Sequence, residues 1–276
     1  MQKRFSGSAV KIIFRWIKII VIVYGICSVA VYYLQDYFLF HPVPLARNHR
    51  YDFSVPYKEL NIPYDAASNL HVVQFAAGSP VKGVVLYFHG NKKNVSWYAG
   101  RVPAITRQGY DVWMPDYPGF GKSTGRLTEQ RLYEYATQLY KLARAKYDKQ
   151  QIIIYGRSMG SGIAAYLASR SDCKSLVLET PYYSMHALVS HYLPVFPVSR
   201  LIHYRLPTFE YLPKVTAPIL IFHGTSDGVI PYSNAKKLQA TLKPGDQFIT
   251  IEGGSHNDLN NFPQMQRALD SLLTGP

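Results

Sequence analysis

Cysteine is almost missing from this chain, with two in 276 residues. Cys27 sits in an apolar N-terminal run and Cys173 lies far downstream in a segment of different character. No disulfide between them is expected, so a disulfide-stapled scaffold is excluded and nothing marks an oxidising compartment. Paired-cysteine and His-Glu-x-x-His spacings are absent, which removes the common zinc arrangements; neither a metal nor a cofactor is expected. Acids are scarce too: 17 Asp and Glu stand against 30 Lys and Arg, for a net charge of +13. The cations are scattered, with no run of five and no zinc-finger or RNA-binding signature. The charge therefore reads as a basic surface, and no nucleic-acid partner is expected. No internal repeat or low-complexity tract occurs, and a hydrophobic share of 47% is enough for one sizeable core.

Charge is lacking altogether between residues 19 and 34, "IIVIVYGICSVAVYYL". Adding residues 12–18, whose Arg15 and Lys18 can snorkel, gives 23 residues, and about 20 apolar residues cross a bilayer. Residues 1–40 are therefore expected to form a basic segment and a single transmembrane helix. A cleaved signal peptide, ending near Ala30 and leaving a secreted protein, is the alternative, because Ser28-Val29-Ala30 has the small-x-small form. Against it, the apolar run continues through Val31, Tyr32, Tyr33 and Leu34. A third reading is a buried helix of the soluble fold. Tyr32, Tyr33, Tyr37, Phe38 and Phe40 gather at the far end, as at a membrane interface. Lys3, Arg4, Lys11, Arg15 and Lys18 stand on the N-terminal side, leaving +8 on the rest (13 less 5). The positive-inside rule then expects the N-terminus in the cytoplasm and residues 41–276 on the other side.

From residue 57 onward, strand-like and helix-like segments alternate. Strands are expected at 58–64, 70–76, 83–88, 111–114, 151–155, 175–178, 218–222 and 247–251. Helices are expected at 94–107, 128–147, 158–169, 232–242 and 258–273. The runs "GVVLYF", "QIIIY", "SLVLE" and "PILIF" are apolar throughout, as in strands covered on both faces. The alternation predicts an α/β fold with a mostly parallel sheet of about eight strands flanked by helices, and an antiparallel start. Residues 180–216 break the rhythm with seven aromatics, five prolines and one acid, Glu210. A small, mostly helical lid over the strand ends is expected there.

In open α/β sheets, ligands bind beyond the carboxyl ends of the strands. Standing there are His89-Gly90-Asn91, Asp116 in "DYPGFGKST", Gly156-Arg157-Ser158-Met159-Gly160, His223 to Asp227, and Glu252 to His256. Gly-x-Ser-x-Gly alone recurs by chance in roughly one chain in ten of this length. Its setting raises it: a buried-type strand leads in and the small-residue run "SGIAAYLA" leads out. Such a turn presents Ser158 at a helix N-terminus, where developing negative charge is favoured. A serine needs a base, and the base an orienting acid. In this architecture the order is serine, acid, histidine, which Asp227 and His256 satisfy. His89 and His223 each precede a glycine and read as turn-stabilising; His186, His191 and His203 fall in the lid. Asp116 ends a strand but precedes the serine, and Asp258 reads as a cap of the last helix. The Gly-Lys-Ser of "DYPGFGKST" is no phosphate loop, since Asp116 stands where the first glycine is needed.

The stretches "YFHGN", "DYPGFGKSTG", "GRSMGSG", "HGTSDGVIP" and "GGSHND", in this order across residues 57 to 273, resemble the alpha/beta-hydrolase family of serine hydrolases. The nearest look-alikes are its membrane-anchored acyl-thioesterase and lysophospholipase-like members, whose anchor also runs into a "FHP"-type segment, here Phe40-His41-Pro42. The resemblance implies Ser158 as nucleophile, Asp227 as orienting acid and His256 as general base, with the backbone N–H groups of Met159 and Asn91 as oxyanion hole. It implies hydrolysis of an ester or thioester of a small or lipid-like acyl substrate beside a membrane. A peptidase or amidase on the same fold, and a membrane-tethered binding protein without activity, are the alternatives.

Overall fold

The computed structural model describes residues 7–275; Lys3 and Arg4 of the basic segment lie outside the described residues. Helix α1 (Gly7–Leu39) leads into a sheet built from β1 (Tyr57–Pro63), β2 (Asn69–Phe75), β3 (Gly83–Phe88), β4 (Tyr110–Pro115), β5 (Ile152–Arg157), β6 (Ser175–Glu179), β7 (Ile219–Gly224) and β8 (Gln247–Ile251). The eight strands lie in the order β8-β7-β6-β5-β3-β4-β2-β1. Only the β1–β2 and β2–β4 pairings are antiparallel, the first joining Leu60 to Val72 and the second Val73 to Met114. The mostly parallel sheet with an antiparallel start is thus as expected.

The apolar strands are two-faced because side chains alternate across the sheet. Ile152 and Ile154 of β5 face a core with α4 (Glu129–Arg144), α5 (Met159–Ala168) and the residues after β6. Ile153 and Tyr155 face a second core with α2 (Val95–Tyr98), α3 (Val102–Thr106) and α10 (Pro263–Thr274). Thr128 begins α4 by accepting from the Arg131 N–H at 3.1 Å, a cap worth about 1 kcal/mol.

Three of the expected helices are interrupted by 3-10 turns. The segment 94–107 splits into α2, a 3-10 turn Ala99–Arg101 and α3. Gly100 weakens the helix there, and Pro103 lacks the N–H that would continue it. The segment 232–242 is α9 (Tyr232–Ala235) followed by the 3-10 stretch Lys236–Thr241. The last helix begins at Pro263, a favoured first position, behind a 3-10 turn Leu259–Asn261. Asp258 therefore does not cap it. Its Oδ1 accepts from the Ser255 N–H at 2.7 Å and closes the loop that carries His256.

Between β6 and β7 the segment expected to be a lid, called the lid below, holds three short helices, α6 (Met185–Tyr192), α7 (Val198–Leu201) and α8 (Thr208–Tyr211). The apolar side chains of α1 from Ile12 to Val23 are exposed and not part of the core. Its second half lies against the lid. Tyr24 stacks on Phe196 with centroids 5.1 Å apart, and Tyr32 meets His203 edge-on at 4.6 Å. Buried Gln35 donates to Leu201 O at 3.1 Å and accepts from His203 N at 2.7 Å. After α1, His41 and Pro42 pair in parallel with Lys92 and Lys93. Asn91 Nδ2 donates to Leu39 O at 2.6 Å. The end of the long helix is thereby strapped to the loop behind β3.

Candidate active site

Ser158 joins β5 to α5 with φ 52° and ψ −120°. Few non-glycine residues adopt such a backbone, and holding it costs about 1–3 kcal/mol. Its flanking glycines are required sterically. A Cβ on Gly156 would lie 2.4 Å from Gly160 O, and one on Gly160 would lie 2.1 Å from Phe88 O. The neighbouring strand locks the turn, because the Ser158 N–H donates to Glu179 O at 2.9 Å. The side chain thus stands at the head of α5, whose first N–H groups have no acceptor within the helix.

His256 arrives on the loop after β8 and Asp227 on the loop after β7. His256 Nδ1 lies 2.8 Å from Asp227 Oδ2, and Nε2 lies 3.0 Å from Ser158 Oγ. With Nδ1–H donated to the carboxylate, Nε2 is left to accept the serine proton. Asp227 Oδ1 accepts from the N–H groups of Val229 and Ile230, each at 2.8 Å. Burial pushes the Asp227 carboxyl up. The His256 hydrogen bond and charge and those two N–H groups outweigh it, so the pKa lies below the ordinary value. The acid therefore stays ionised well into the acid range. His223 Nε2 is 3.7 Å from the same carboxylate and its Nδ1 meets Gly224 O at 3.0 Å. Burial pushes its pKa down, so it is neutral at pH 7 and stiffens the turn.

The Met159 N–H is the first of α5, next to the serine. Asn91 lies beyond β3; among the described residues its N–H has no acceptor, while its side chain and carbonyl hold α1 and His41. Gly90, beside it, faces Ser158: a Cβ there would sit 3.5 Å from the serine Cβ.

Residues 83–200, from β3 into the lid, match the alpha/beta hydrolase fold family. The chain is an alpha/beta hydrolase by fold. Alpha/beta hydrolase domain-containing protein 17C of Xenopus tropicalis is 30% identical over 198 residues, 69% of this chain and 61% of that protein. The human protein of the same name is 29% identical over 198 residues, with 57% of its length covered. The hydrolase chain thus spans about three-fifths of the length of these relatives. An uncharacterised protein of Mycobacterium tuberculosis is 30% identical over 176 residues, 63% of each chain. Among solved structures, an esterase of Pyrococcus furiosus superposes with a TM-score of 0.65 at 18% identity, over 85% of this chain and 97% of that one. An alpha-beta hydrolase of Vibrio vulnificus gives 0.65 at 21% identity, covering 80% and 81%.

Sequence reasoning on this hydrolase missed the support behind the serine. Arg157 and Glu179 end adjoining strands and face each other in register. Arg157 Nε is 3.2 Å from Glu179 Oε1, and Glu179 Oε2 takes Arg101 Nη1 and the Tyr155 hydroxyl, each at 2.6 Å. Arg157 Nη2 then reaches His256 O at 3.2 Å and Asn257 Oδ1 at 2.9 Å. Burial would raise the Glu179 pKa, but Arg101, Arg157 and Tyr155 hold it below the ordinary value. One buried ion cluster thus touches both the serine backbone and the histidine loop. The sequence signal was available: a cation and an acid close two neighbouring strands that are otherwise apolar.

Proposed function

We propose that this chain is a membrane-anchored serine hydrolase that cleaves an ester or thioester through an acyl-enzyme. The observation that carries the reading is the unbroken relay Asp227–His256–Ser158, with links of 2.8 and 3.0 Å, ending on a serine in a strained turn. Ser158 Oγ attacks the substrate carbonyl while its proton passes to His256 Nε2. The carbonyl oxygen becomes an oxyanion against the N–H groups of Met159 and Asn91, where fixed dipoles need no reorganisation. The tetrahedral intermediate collapses as His256 gives that proton to the departing alcohol or thiol. Water, deprotonated by His256, then attacks the acyl-serine; the proton returns to Ser158 as the acid leaves. Ionised Asp227 stabilises the imidazolium in both steps.

The acids favour an acyl substrate over an aminoacyl one, because an aminopeptidase needs a free carboxylate for the substrate amine. Glu179 is fully buried among arginines, and Glu210 pairs with Arg205 at 2.8 Å. The membrane part of the reading rests on residues 11–39, whose mean hydropathy reaches 2.1 over a window that is 0% buried. The basic residues ahead of it favour an N-terminus in the cytoplasm.

The test is hydrolysis of p-nitrophenyl octanoate by the purified full chain. The expected result is turnover that Ser158→Ala abolishes, with an aminoacyl anilide turned over far more slowly. Unchanged ester hydrolysis by Ser158→Ala sinks the mechanism. Faster turnover of the anilide transfers the reading to an amidase.

A further inference from the structure

Residues 19–35 of α1 carry no charge, and Asp36 is the first acid after them. Seventeen helical residues rise roughly 25 Å, close to the hydrocarbon thickness of a bilayer. The lid meets this stretch well inside its length. Tyr24 stacks on Phe196, and its hydroxyl donates to Val195 O at 3.1 Å. Gln35 binds Leu201 and His203 at the other end. Tyr24 lies roughly 16 Å along the helix axis from Gln35.

The lid composition follows the same levels. Residues 180–199 contain no Asp, Glu, Lys or Arg; charge resumes at Arg200, beside Leu201, whose carbonyl Gln35 binds. The tip is apolar and uncovered, with Val195 71% and Tyr192 54% exposed. Its irregular backbone is largely satisfied from within, the Val195 N–H being the donor left without an acceptor among the described residues. Pro194 and Pro197 have no N–H to satisfy. The N–H groups of Leu193, Phe196 and Val198 are bonded to Val189 O, Leu193 O and Phe196 O. Backbone left unpaired in hydrocarbon costs several kcal/mol per group.

We infer that the lid tip, residues 192–197, is itself immersed in the hydrocarbon of the bilayer beside α1. This rests on the reading that α1 spans the membrane. The immersed tip is tied to the catalytic loops: the Tyr192 hydroxyl donates to Val229 O at 2.7 Å, two residues after Asp227. The rim of the site is thereby held at the lipid surface.

The test uses the full chain in lipid nanodiscs, which leave both membrane faces open to reagent. Native Cys27, exposed on α1 within the charge-free run, reports the span. Val195→Cys reports the lid tip, and Lys149→Cys, at an exposed lysine, reports water. A sulfonated maleimide needs a thiolate, which hydrocarbon disfavours. The thiol introduced by Val195→Cys is expected to react at least about tenfold more slowly than the one introduced by Lys149→Cys, and to match Cys27. Reaction of the lid-tip thiol at the aqueous rate with Cys27 protected overturns the immersion and leaves the span standing. Reaction of Cys27 at the aqueous rate removes the span and the inference with it. Tyr192→Cys repeats the measurement should Val195→Cys fail to fold.

Discussion

Two buried aspartates of this chain follow strands of the sheet, and each is flanked by two histidines. Asp116 faces His89 and His71; Asp227 faces His223 and His256. His89 and His223 are matched: each directs Nδ1 to the carbonyl of the glycine that follows. Each aspartate also receives backbone N–H donors, Val95 for Asp116 and Val229 with Ile230 for Asp227. The difference lies in the outer nitrogen of the remaining histidine. His71 Nε2 meets Glu59 Oε2 at 2.9 Å with its side chain 0% exposed. His256 Nε2 meets a hydroxyl, and its side chain is 12% exposed. One kit of residues thus builds a sealed strut in the first place and an open proton relay in the second. Burial and Glu59 occupy the outer nitrogen of His71, whereas that of His256 faces the Ser158 hydroxyl and solvent.

Each substitution sharpens that contrast. The largest effect is expected at His256→Ala, a loss of about 10⁶-fold in kcat, because removing the base is as damaging as removing the nucleophile. Asp227→Asn leaves the histidine in place with the wrong tautomer and is expected to lower kcat of the folded fraction about 10⁴-fold. Asp116→Asn is the counterpart: about 3 kcal/mol of stability lost to broken buried pairing, with kcat of the folded fraction retained. Urea unfolding alongside steady-state ester hydrolysis separates these two. An Asp116→Asn protein that folds normally and fails to turn over would erase the contrast.

Smaller effects follow from the shared supports. Arg157→Gln loosens the His256 loop without touching the reacting atoms, and a fall in kcat of about ten- to a hundredfold with little change in KM is expected. The pH dependence has a definite sign. Asp116, Asp227 and Glu179 all have pKa values below their ordinary ones. Below about pH 4 the unfolded chain therefore holds protons that the native chain does not, and stability falls as pH falls. Buried His223, whose pKa is also pushed down, starts the fall in unfolding free energy below about pH 6.5, and the three acids steepen it below about pH 4, less so in Asp116→Asn.

Much of this was legible in the residues. Runs such as "QIIIY" and "SLVLE" read as two-faced strands because nothing polar interrupts them, and β5 and β6 form there. Ser158, Asp227 and His256 stand in serine, acid, histidine order at strand ends, and they lie in one hydrogen-bonded chain. What stayed hidden depends on contacts across the fold. Periodicity does not register that Pro263 restarts a helix, nor that Asp258 turns back to Ser255. It is equally silent on Glu179, a strand-end acid whose worth comes from Arg101, distant in sequence, and from Arg157 on the neighbouring strand. The docking of α1 on the lid through Gln35 is a pairing of residues 166 and 168 positions apart.

The central claim is that the open relay arms Ser158 and that a probe finds its target there. A fluorophosphonate probe applied to the full chain in native membranes, followed by peptide mass spectrometry, tests it directly. The account predicts a single adduct on Ser158, lost when His256 is replaced by alanine. An adduct on another residue, or none while Ser158 stays unmodified and the protein folded, would contradict it.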